Sequence, residues 1–107
     1  MIAHADAVQT IQGVLTETHA GRMTFPEVVR QFLDANVESY FVDLRAHQDV
    51  VYLNNDTTLA QPLDLDYGPI AQQFSQSAIV AALRAAQRDE IRYPEFMRRA
   101  AAAGVVA

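Results

Sequence analysis

The apolar positions set the first boundaries. Between Asp6 and His19 they fall at Val8, Ile11, Val14 and Leu15, the three-and-four spacing of one helix face. Asp6 is placed to cap that helix and Gly21 stands just beyond its end. The stretch TFPE opens a second helix: Thr24 supplies a capping oxygen, Pro26 sits in the first turn, and Glu27 completes a T-x-x-E capping box. Phe25, Val28, Val29, Phe32 and Leu33 form its apolar face, and Asn36 suits the left-handed residue that ends it.

The period then changes from helical to alternating. ESYFVDL and VVYL are rich in β-branched and aromatic residues, and the polar RAHQD between them reads as the turn of a hairpin. Tyr40, Val42 and Leu44 share one face of the first strand; Ser39, Phe41 and Asp43 share the other. Phe41 on the second face implies that something beyond the helices covers it. Residues 54–69 are polar and broken by Pro62, Gly68 and Pro69, which predicts a connector with a short extended piece at PLDLD. Helical spacing returns from Ser75 or Ser77 to about Gln87, with Ile79, Ala82, Leu83 and Ala86 on one face. A last helix is expected from about Pro94 to Ala103, with Gly104 ending it.

The two helix pairs align without a gap at an offset of 68 residues, from Phe25 to Tyr93. Pro26 meets Pro94, Glu27 meets Glu95, Arg30 meets Arg98, Asn36 meets Gly104, and upstream Ile11 meets Ile79 and Leu15 meets Leu83. The expected architecture is therefore α+β, an internal ααββ pseudo-repeat whose two helix pairs pack on a short antiparallel sheet. It forms one domain over 1–107, with repeat one at about 6–53 and the helices of repeat two at about 75–107. Copy two stops where copy one enters its hairpin. The expectation is that the second hairpin is missing, either because the natural chain continues or because another subunit supplies the cover.

Composition narrows the chemistry. With no cysteine in 107 residues, disulfides, thiolate catalysis and Cys-based zinc sites are excluded, and the usage suits a reducing cytoplasm. A net charge of −5 disfavours nucleic acid as a partner. AIVAALRAA and AAAAGVVA are far shorter than the roughly 20 residues that cross a bilayer, so no membrane partner is expected.

The succession FPEVVRQFLDANVESYFVDL…VVYL, followed by AALRAAQRDEIRYPEFMRRAAAAGVV, resembles a family of small bacterial proteins of unknown function. Some members of that family carry the label phage envelope protein. The resemblance covers most of the chain, rests on the paired F/Y-P-E segments and the AQRDEIRY run, and implies no catalytic residue.

No glycine-rich phosphate loop, nucleophile elbow or Ser/His/Asp grouping is present, so no catalytic residue is assigned. His4, His19 and His47 have no metal-ligand spacing, and neither a metal nor a cofactor is expected. His19, at a helix end, reads as a complement to the helix dipole. Glu27 and Glu95 read as first-turn carboxylates, each with an arginine three residues on. Tyr40, Asp43 and Tyr52 are the candidate ligand-binding set, on the premise that the two strands gather them at one polar-rimmed pocket. The competing reading has the tyrosine rings in the core and Asp43 in solvent. Phe41 with the small residues Ala100 and Ala101 is the candidate interface, for a homodimer or another protein partner. The function expected is binding or interaction by a small cytoplasmic protein. The alternatives are a small-molecule sensor or enzyme on the Tyr40/Asp43/Tyr52 face, or a phage-associated structural protein.

Overall fold

The structure, a computed structural model, describes residues 4–107, with side chains from Asp6 onward; the side chain of His4 lies outside the described residues. In chain order the elements are α1 (His4–His19), α2 (Phe25–Asp34), β1 (Val37–Asp43), β2 (Gln48–Leu53), β3 (Thr58–Pro62), α3 (Gln76–Gln87) and α4 (Tyr93–Ala102). The fold is α+β. Because α1 starts before Asp6, that residue lies in the first turn rather than at the cap, where its carboxylate still meets the positive end of the helix dipole. The capping box of α2 forms as expected: Thr24 Oγ1 accepts from the Glu27 N–H, and the Thr24 N–H donates to Glu27 Oε1 at 3.0 Å.

The strands form an antiparallel meander in the order β1-β2-β3. The third strand departs from expectation, since residues 58–62 fall inside the stretch read as a connector. TLAQP has one β-branched residue and ends in proline, so its propensity is weak; pairing with β2 from Tyr52↔Thr58 to Gln48↔Pro62 makes it a strand.

Helices α1 and α2 pack Ile11, Val14, Leu15 and Phe32 against Val37, Val51 and Leu53 of the sheet. A second core lies between α4 and the chain around the sheet's far end, where Met97, Ala100 and Ala101 meet Leu44, Leu63 and Tyr67. The Tyr67 hydroxyl donates to the Leu44 carbonyl, and the Leu44 N–H donates to the Val106 carbonyl at 3.0 Å, fastening the segment after α4 to the end of β1. The buried stripe of α2 is narrower than its apolar residues suggest. Val28 and Phe32 are buried, whereas Val29 and Leu33 are exposed, because only one row of the helix faces the sheet.

The limits of α2 and α4 coincide at the 68-residue offset. Phe25–Asp34 of α2 corresponds to Tyr93–Ala102 of α4, and each is followed by a left-handed residue, Asn36 (φ 63°) and Gly104 (φ 80°). The ends of α1 and α3 correspond as well. Gly21 donates to Thr18 and Arg22 to Glu17; Asp89 donates to Ala86 and Glu90 to Ala85, all through backbone N–H and C=O groups. Gly21 and Asp89 both adopt positive φ, the geometry of a Schellman helix end.

Candidate functional site

Strand β2 alternates, and its inward positions are Asp49, Val51 and Leu53, at 1%, 0% and 3% exposure. Two of these are ordinary core residues. A buried carboxylate is not, because desolvating the charge costs several kcal/mol unless partners compensate it. One oxygen is compensated: Asp49 Oδ2 lies 2.7 Å from His19 Nε2. The other, Oδ1, is buried with no hydrogen-bond partner, which is true of no other buried side-chain oxygen or nitrogen among the described residues. His19 is the last residue of α1, and its ring stacks on Tyr93 at a centroid distance of 5.7 Å.

Asp49 lines a cavity of about 170 Å³ between both helix pairs and the sheet, partly open to solvent beside the half-exposed Phe25, Tyr40 and Leu83. Its walls come from positions related by the 68-residue offset: Leu15 with Leu83, Phe25 with Tyr93, and Val28 with Phe96. The sheet supplies Tyr40 and Asp49. Tyr40 pairs in register with Val51 and so shares the helix-facing side; its ring meets Phe32 edge-on at 5.5 Å. Desolvation against the cavity wall, reinforced by the nearby Asp49 charge, raises the pKa of the Tyr40 and Tyr93 phenols above the ordinary tyrosine value. Both therefore stay protonated at neutral pH, and neither hydroxyl makes a hydrogen bond among the described residues. The cavity is apolar for most of its wall, and its polar lining residues are Thr18, Tyr40, Asp49, Gln87, Arg92 and Tyr93. A more open groove of about 440 Å³ lies along Gln12, Thr16 and His19 of α1 and Gln61 of β3. The His19–Asp49 pair thus joins the wall of the cavity to the wall of the groove.

A model of the family described as "Protein of unknown function (DUF1398)" matches residues 14–107. The chain belongs to that family. The match takes in every residue that lines the cavity, together with His19 beside it. No curated protein and no solved structure matches the chain.

In this family member the strands do not gather Tyr40, Asp43 and Tyr52. Tyr40 faces the helices, while Asp43 pairs with Gln48 and Tyr52 with Ser39 on the opposite side of the sheet. Asp43 Oδ1 accepts from the Ala46 N–H at 2.9 Å and so closes the β1–β2 turn. Phe41 shares the outer face and is 46% exposed. Ala100 and Ala101 are buried in the chain's own second core, which leaves them no surface for a partner. His47 stacks on Tyr67 at 4.8 Å, away from the cavity. No group of three or more His, Cys, Asp or Glu side chains among the described residues is positioned to hold a metal. None of the described helices is long and apolar enough to cross a membrane. Glu95 pairs with Arg98 at 3.0 Å and Arg99 at 3.1 Å, and α4 has no side-chain cap, because Arg92 at the cap position carries no side-chain oxygen to accept from the Glu95 N–H.

Sequence reasoning passed over His19 and Asp49 as a site. One signal was available: Asp49 falls in step with Val51 and Leu53, so an alternating strand presents a carboxylate to its own core.

Proposed function

We propose that this protein binds a compact, mostly apolar ligand bearing a hydrogen-bond donor, in the cavity between the two helix pairs. The observation that carries the reading is Asp49 Oδ1, buried at the cavity wall without a partner. A buried acceptor left unsatisfied costs about 1–3 kcal/mol, and a ligand donor relieves that cost. The volume suits one ring, since a cavity of about 150 Å³ takes a benzene-sized molecule. Of the residues first expected to bind, Tyr40 belongs to this reading. The role is binding or sensing rather than chemistry, in a cytoplasmic protein of bacterial type, a setting supported by the lack of cysteine and by the family resemblance. A melting-shift screen with single-ring fragments tests it. Hits should stabilise the wild type and be lost in Ala86→Phe, which fills the cavity from α3; an absence of hits, or hits indifferent to Ala86→Phe, overturns the reading.

A second reading is favoured by the outer face of the sheet, where Phe41 and Tyr52 are 46% and 39% exposed beside the free edge of β1. That face supports association with a second copy or another protein. The phage-structural alternative belongs here and draws only on the label some relatives carry. Light scattering should show a dimer that Phe41→Asp dissociates; a strictly monomeric wild type at high concentration removes self-association.

A further inference from the structure

The cavity is lined by five of the chain's nine Phe and Tyr residues: Phe25, Phe32, Tyr40, Tyr93 and Phe96. Aromatic faces carry negative charge density and attract cations, and a desolvated site strengthens that attraction. The single buried carboxylate at the wall, with Oδ2 on His19 and Oδ1 without a partner, adds a hydrogen-bond acceptor to this aromatic lining. The cationic side chain that lines the cavity, Arg92, is engaged elsewhere. Its Nε donates to Asp89 at 2.7 Å and its Nη1 to the Gly21 carbonyl at 3.4 Å. The chain's net charge of −5 attracts cations at longer range.

Resting on the cavity reading above, we propose that the ligand is a small organic ammonium ion with at least one N–H, its hydrocarbon part a single ring. The N–H donates to Asp49 Oδ1, a charge-assisted bond stronger than a neutral donor makes. The positive charge lies among the aromatic rings, and the ring fills the apolar wall formed by Leu15, Leu83 and Val28. A neutral alcohol satisfies Oδ1 but gains little from the aromatic faces. A quaternary ammonium gains from the faces but leaves Oδ1 without a donor.

Calorimetric titration near neutral pH with benzylammonium, benzyl alcohol and benzyltrimethylammonium tests the assignment. Benzylammonium should bind at least tenfold tighter than benzyl alcohol and tighter than the quaternary ion, and Asp49→Asn should abolish its preference over the alcohol. Benzyl alcohol binding as tightly as benzylammonium overturns the ammonium assignment and leaves the cavity reading standing. Failure of all three to bind overturns both. If Asp49→Asn does not fold, Phe96→Leu decides: it should weaken benzylammonium more than benzyl alcohol, and an equal loss for the two overturns the assignment.

Discussion

The two helix pairs share a backbone plan and differ in what their side chains must reach. In α2 the inward residues are Val28 and Phe32, which span the gap to the inner face of the sheet. At the corresponding place α4 has Ala100, followed by Ala101, and both are buried in one cluster with Met97, Leu44, Leu63 and Tyr67. The same geometry therefore accepts a large side chain over a strand and a small one beside a bulky loop. Side-chain size follows the distance to the facing surface, which is how a core keeps crystal-like packing density. The cavity lies between these two regimes, where equivalent positions from each pair face one another without filling the space.

Substitutions at equivalent positions test how far the likeness extends. The largest difference is expected at the helix ends. A Cβ at Gly104 would collide with the Gln73 carbonyl, on a backbone already at φ 80°, so Gly104→Ala should cost about 3 kcal/mol or more. Asn36→Ala, the same change of backbone preference without that contact, should cost about 1 kcal/mol. Chemical denaturation of both variants checks the ordering, and equal losses would show that the close approach to Gln73 is unimportant. Smaller effects are expected at the starts of the same helices. Thr24→Ala removes a formed capping box and should cost about 1 kcal/mol. Arg92→Thr offers Glu95 the partner it lacks and should stabilise by a few tenths of a kcal/mol, set against the loss of the Arg92–Asp89 contact. An Arg92→Thr variant less stable than wild type would mean that the Asp89 pair outweighs the cap.

The helices were legible in the sequence because their signals are local. TFPE, Ser75 and the residues at the left-handed positions each act within one turn, and the structure places the ends of α2, α3 and α4 within a residue of expectation. β3 was not legible, because TLAQP becomes a strand through its neighbour rather than through its own propensity. The candidate site was half legible. Tyr40 lines the cavity, whereas β1's own alternation already sets Asp43 on the opposite face. Tyr52's face depended on the register of β2 with β1, which includes an irregularity between Val37 and Ser39.

By itself the sequence determined the α+β class, the capped helices, the matched pair of helical segments and the absence of cysteine chemistry. These depend on residue spacing and on interactions within a few positions. Only the tertiary structure decided that His19 meets Asp49 across 30 residues, that one carboxylate oxygen is left without a donor, and that five aromatic residues line a cavity beside it. Those facts depend on where the helix pairs close over the sheet. The closure is set by side-chain volume and burial summed over the whole chain, and no short stretch of sequence contains it.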